Sequence, residues 1–199
     1  MKTFIILFVC LLGMCAHAQT LTLVRMNMDS KIPEVTEAVA DHALRIASTI
    51  LSSKEFRDSL MKRDFKYQNL CEKCGANREE GKPRITGQAV LEQLYRKNRQ
   101  TLNLDMKKTG FPPPAGNECF LQGKSCPGEH YITSYYKNIM CEMGEAFPFE
   151  YAYGVHICHE YMHDIGYCHT DRKDDVAETA GRIAFNIMNS WYKAGKKIP

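Results

Sequence analysis

His159-Glu160-Tyr161-Met162-His163-Asp164-Ile165-Gly166-Tyr167-Cys168-His169 reads HEYMHDIGYCH and fills every specified position of the pattern HExxHxxGxxH. On a helix, residues four apart lie on one face, about 40° from being stacked. His159 and His163 can therefore present two imidazoles to one metal ion, with Glu160 flanking the pair one residue round. Gly166 lets the chain leave the helix with positive φ. The turn can then bring His169 back as a third nitrogen ligand. Three protein ligands with one open position is the geometry of a catalytic zinc, not of a closed structural one. A solvated His/Glu helix face is the plain alternative. It does not account for a glycine and a third histidine at the spacing a third ligand needs.

The motif resembles the eleven-residue signature of the metzincin clan of zinc endopeptidases. The resemblance covers this stretch and not the whole chain. It implies an α+β, zincin-like single domain over residues 19–199, with a small mixed sheet, a zinc-binding active-site helix and a C-terminal helix. It also implies one catalytic Zn2+ held by His159, His163 and His169, with Glu160 as general base. The substrate would be a peptide or protein, hydrolysed by metal-activated water. Tyr167 and Tyr192 are candidate oxyanion donors.

Members of the clan also carry a methionine turn beneath the metal. The candidate here is Met188 in Phe185-Asn186-Ile187-Met188-Asn189, but this stretch reads as helix. Val176, Ala180, Ile183, Ala184, Ile187 and Trp191 fall within about 100° of one another, behind a capping pair of Asp175 and Glu178. A different zinc clan, the gluzincins, takes a glutamate from a later helix, and Glu178 is the candidate for that role. His156 lies about 60° round from His159 and about 20° from His163. It is thus a competing ligand on the same face, but reads first as a residue supporting the ligands or lining the cleft, because two ligands on one helix plus one beyond it make a better tetrahedron. Two other classes stay open: an exported, non-catalytic protein using the site for structural metal or partner binding, and a disulfide-built module with a chance motif.

Compartment is read from the N-terminus and the cysteines. Met1-Lys2-Thr3 precedes an apolar run from Phe4 to Met14 and then Ala16-His17-Ala18, the layout of a cleaved signal peptide over residues 1–18. The run is too short to span a bilayer, and stable membrane insertion is not expected. Lipidation at Cys15 is disfavoured by Met14, a poor lipobox residue. The expectation is a secreted or periplasmic protein. Of nine cysteines, Cys10 and Cys15 fall in the leader, leaving Cys71, Cys74, Cys119, Cys126, Cys141, Cys158 and Cys168. In an oxidising compartment these are mostly disulfides, and an odd number leaves at least one thiol free or paired between chains. Cys119 and Cys126 suit a local bridge. Cys158 and Cys168 each precede a candidate ligand, and either could brace the site. With 26 basic and 23 acidic residues the formal net charge is +3, which points to neither nucleic acid nor a membrane surface as partner.

Along the chain, Leu21, Leu23 and Arg25 alternate as a short strand or tether. Ser30 and Pro33 open a helix through Val39, Ala43, Ile46 and Ile50. Ser52 with Glu55 makes a capping-box pattern for a second helix carrying Phe56, Leu60 and Met61. Cys71-Glu72-Lys73-Cys74 reads first as disulfide cysteines. A free thiol there capping the zinc, as in the propeptides of the matrixin branch, is the sharper alternative. Residues 19–85 would then form a helical N-terminal or pro-segment. Thr86 starts a helix through Leu94, and Thr101–Met106 alternates as a strand. The stretch from Phe111 to Gly128 reads as loop. Tyr131–Tyr136 reads as a strand lining the cleft, where extended substrate could add. The zinc helix begins near Phe149 or Glu150. His42 and His130 read as surface or packing residues.

Overall fold

The structure, a computed structural model, describes residues 20–65, 85–110, 119, 122–169 and 175–198. The leader (1–18), the pair Cys71 and Cys74, and the proline loop at 111–116 lie outside the described residues. In chain order the elements are Thr22–Ser30 (β1), Glu37–Ser52 (α1), Lys54–Met61 (α2), Asp64–Phe65 (β2), Ile85–Thr86 (β3) and Gly87–Leu94 (α3). Then come Arg99–Lys107 (β4), Gly123–Ser125 (β5), Tyr131–Tyr135 (β6), Tyr136–Met143 (α4), Phe149–Asp164 (α5) and Val176–Lys193 (α6).

The fold is a mixed α/β arrangement. One four-stranded sheet has the order β1-β4-β6-β5, with β1, β4 and β6 parallel and β5 antiparallel to β6. β2 and β3 form a separate two-stranded ladder. Leu102, Leu104 and Met106 alternate along β4 and are buried, the period-2 pattern of a sheet face packed on a core. Arg25 on β1 grips α1 through Asp41 at 2.8 and 3.2 Å and Glu37 at 2.9 Å. No helix among the described residues is long and apolar enough to cross a membrane.

Helix starts follow side-chain caps, and two differ from the sequence reading. Thr36, not Ser30, caps α1 through the Val39 N–H. Ser53, not Ser52, caps α2 by accepting from the Phe56 N–H. Ser52 instead accepts from the Leu21 N–H and donates to the Leu21 carbonyl, so its hydroxyl anchors β1 to α1. Thr86 caps α3 as expected.

Two further differences concern the middle of the chain. The stretch read as loop up to Gly128 contains β5, a strand made by backbone pairing to β6 and not by any apolar pattern in Gly123-Lys124-Ser125. β6 is consequently interior, flanked by β4 and β5, so its backbone groups are already paired; β5 is the sheet edge on that side, and β1 the edge on the other. α4 then intervenes between β6 and the histidine helix, and no side chain caps it, which removes the usual sequence signal.

α5 is the central helix. From Ala152 to Asp164 only His159 is partly exposed, so the helix is enclosed nearly all round. It packs on α1, α6, α4 and β5. Gly154 makes the α1 crossing possible, because a Cβ there would lie 2.6 Å from Ile46 Cγ2 and 3.0 Å from the Ala43 carbonyl oxygen. The stripe expected on α6 is buried at every position, Val176 through Trp191.

Cys119 pairs with Cys141, across a sequence separation of 22, and not with Cys126. Cys126 and Cys168 are each disulfide-bonded. Cys158 is a free, buried thiol, its Sγ 3.8 Å from the Ala47 carbonyl oxygen, so it does not brace the site covalently. Replacing Cys119 and Cys141 together with serine is expected to cost about 3 kcal/mol, the chain-entropy value for a loop of this size. A lowered urea midpoint, with an m-value that rises as the uncrosslinked denatured chain expands, would show it.

Candidate metal centre

Two ligand candidates sit a turn apart on α5, and the third follows the turn that ends it. The Nε2 atoms of His159 and His163 are 3.2 Å apart, and those of His163 and His169 are 3.1 Å apart. All three donor atoms lie within 4.8 Å of one another. Corners of a tetrahedron with zinc–nitrogen bonds of about 2.0–2.1 Å are about 3.3 Å apart, so this spacing suits a single ion.

The partners on the other side of each ring decide what those nitrogens can be. His163 Nδ1 is hydrogen-bonded to the Tyr167 carbonyl oxygen. His169 Nδ1 lies 3.1 Å from Asp175 Oδ2, and the Ala177 backbone carbonyl supports His159. Carbonyl and carboxylate oxygens only accept, so His163 and His169 each carry a proton on Nδ1 and keep a lone pair on Nε2. Ring nitrogens facing one point have no attraction for one another. A cation would supply it, and backing of Nδ1 by an oxygen is how metal-bound histidines are usually oriented. Burial pushes the His163 imidazole down to about 4 and that of His159 well below its ordinary value. Both are neutral near pH 7, the form that binds metal.

The glycine turn builds this geometry. Gly166 has φ +107. Its N–H donates to the His163 carbonyl at 2.9 Å, and the Tyr167 N–H donates to the Met162 carbonyl at 2.9 Å, the paired bonds of a Schellman motif. The turn aims the Tyr167 carbonyl back at His163 Nδ1. The helix end is fastened from outside as well. Asp164 accepts from the His130 N–H at 2.7 Å and pairs with its Nδ1 at 2.8 Å, and the Gly128 N–H donates to the Asp164 carbonyl. His130, read from sequence as a surface or packing residue, holds φ 52 while making this clasp. His42 does pack, edge-on against Tyr151.

Glu160 is 3% exposed, and its Oε2 has no hydrogen-bond partner. Burial, with a smaller contribution from Glu178, pushes its carboxyl up to about 8. A nearby cation would draw it back toward the ionised form. His156 is buried beside it, with Nε2 3.2 Å from Ser134 Oγ and 3.8 Å from Glu160 Oε1. Next to these groups runs a cleft of about 330 Å³ whose lining includes Glu142, Met143, His156, His159, Arg182 and Phe185.

The remaining candidates stand outside the converging set. Glu178 lies 3.8 Å from His169 Nδ1 and lines the cleft beside His156 and His159. Tyr192 packs on Phe147 and Tyr151. Tyr167 is buried, with Arg96 the charged group its hydroxyl feels. Met188 is fully buried within α6, in a helix and not a turn. What sequence reasoning missed is the second task of Asp175. It caps α6 through the Glu178 N–H at 2.7 Å while its other oxygen holds His169. An aspartate at a helix cap six residues after a candidate ligand was the available signal. Comparisons with protein-family models, with curated proteins and with solved structures find no match to this chain.

Proposed function

We propose that this chain is an exported, zinc-dependent endopeptidase of zincin-like fold, with His159, His163 and His169 as metal ligands and Glu160 as general base. The convergence of three Nε2 atoms, with the His163 and His169 rings backed at Nδ1 by oxygens, is the observation that carries this reading. Three imidazoles leave room for a fourth, exchangeable position, which hydrolysis needs. A bound zinc ion supplies Lewis acidity, acidifying a coordinated water and polarising the scissile carbonyl. Glu160 takes up the proton released in the attack and returns it to the leaving amine. Its place one residue round from His159 keeps it out of the ligand set. The antiparallel edge strand β5, which packs beside α5, is where an extended peptide could pair. The Cys119–Cys141 disulfide suits the oxidising compartment to which the leader points.

The chain is therefore expected to cut a diverse peptide mixture, read by mass spectrometry, when loaded with zinc. Cleavage should stop on chelation and return with added zinc. Uncut peptides from a protein that holds one zinc would overturn the reading.

Asp175→Asn isolates the support of His169, because asparagine caps a helix about as well as aspartate. The carboxylate is lost, and zinc affinity is expected to fall about 10–100-fold. Competition against a chromophoric chelator measures it. An unchanged affinity would detach Asp175 from the metal site.

A further inference from the structure

The cleft of about 330 Å³ beside His159 is walled by α4, α5 and α6. Gly181 brings α6 onto the ligand ring. A Cβ there would lie 3.2 Å from His159 Cβ and Nδ1, so the cleft opens directly beside a candidate ligand. Gln122, the residue before β5, also lines it, and a peptide laid along β5 would run past it. The lining divides by chemistry. Met143 on α4 and Val155 on α5 are buried and Phe185 on α6 is partly buried, which makes an apolar wall from all three helices. Glu142, Glu178 and Arg182 line the same cleft and are exposed. Apolar groups thus lie inward, and charged ones toward water.

The charges do not cancel. Glu178 and Arg182 are four apart on α6, the spacing at which opposite charges offset one another. Arg182 and, with the opposite sign, Glu142 both act on the Glu178 carboxylate. Glu142, reaching in from α4, is left as the excess charge, and its side chain has no ion pair or hydrogen bond. An acidic side chain entering here would meet two carboxylates against one guanidinium. A purely apolar one would cover the wall and gain nothing from Glu142. Lysine and arginine lay an apolar stem along a surface and keep the charged head at water, which is the division this lining offers. We infer that the cleft takes a basic side chain, lysine or arginine, of a substrate residue beside the scissile bond, and that Glu142 is the residue that selects it. The inference rests on the peptidase reading above and adds the class of side chain that this site accepts.

The test begins with the full zinc-loaded chain and its Glu160→Ala variant on a diverse peptide mixture. Lysine and arginine should be enriched at a single position flanking the cut. Matched peptides carrying lysine, norleucine or glutamate at that position then give kcat/KM ratios. Lysine should be preferred over norleucine about 5-fold, the upper end for an ion pair open to water. The ratio should shrink as salt is raised from about 0.01 to 1 M and fall toward one in Glu142→Gln. Glu142→Lys should prefer glutamate over lysine, because the attraction becomes a repulsion. A general disturbance of the fold would lower all three peptides together and leave their ratios standing. Cuts with no basic enrichment, or an unchanged lysine-to-norleucine ratio in Glu142→Gln, would overturn the inference and leave the peptidase reading in place. A wild type that cuts no more than Glu160→Ala would overturn the peptidase reading itself, and the inference with it.

Discussion

Glu160→Ala is expected to retain one zinc per chain and to lose about 10²–10⁴-fold in turnover, the range over which a positioned general base contributes. The two halves of that expectation come from different observations. Metal is retained because Glu160 is outside the converging set of His159, His163 and His169. Turnover falls because the buried histidine beside it, His156, has its Nε2 engaged with Ser134 and is pushed by burial down to about 3, too weak a base to substitute. The variant also removes a buried carboxyl with an unpartnered oxygen, a group that costs free energy in the folded state. Its thermal stability should therefore equal or exceed that of the wild type. Peptide turnover, metal content and a melting curve on one preparation check all three. Full activity would remove Glu160 from the mechanism.

The second large effect is expected in His163→Ala. This ring is the middle member of the cluster, within 3.2 Å of both others, and it ties the end of α5 to the turn through the Tyr167 carbonyl. Without it two imidazoles remain, one of them on a residue that is half exposed, and zinc should no longer bind at micromolar concentrations. Stability reports the loss directly. Metal at a thousand times its Kd stabilises a folded chain by about 4.1 kcal/mol, or about 8–16 °C in Tm for a chain of this size. The wild type should show that shift on adding zinc, and His163→Ala should show none. The zinc-free variant should also melt lower than the zinc-free wild type, since the Tyr167 carbonyl loses its partner, at about 1–3 kcal/mol. A zinc-dependent shift in the variant would mean that the metal sits elsewhere.

What could be read from the residues alone follows from the range of the interactions involved. α5 and α6 were legible because helix periodicity is local: His159, His163 and the stripe from Val176 to Trp191 fall at fixed angles whatever surrounds them. Gly166 was legible for the same reason, as a positive φ just past a helix end. β5 was not, because Gly123-Lys124-Ser125 carries no pattern and becomes a strand only through β6. The clasp between His130 and Asp164 spans 34 positions. The Cys119–Cys141 bridge spans 22, and spacing alone favoured the nearer Cys126. Tyr131–Tyr135, read from sequence as a cleft strand, is interior to the sheet, since its composition suits an edge or a core strand equally and only the pairing order distinguishes them. Within the site, the side chains that converge were legible, while most of what orients them was not. The Tyr167 and Ala177 carbonyls have no side-chain signature at all.

Zinc-edge X-ray absorption on the loaded chain tests the central claim most directly. Three imidazole nitrogens and one light oxygen that exchanges with added anion, at about 2.0–2.1 Å, is the expected result. Four protein ligands, or a sulfur at about 2.3 Å, would contradict a catalytic centre and leave a closed, structural metal in its place.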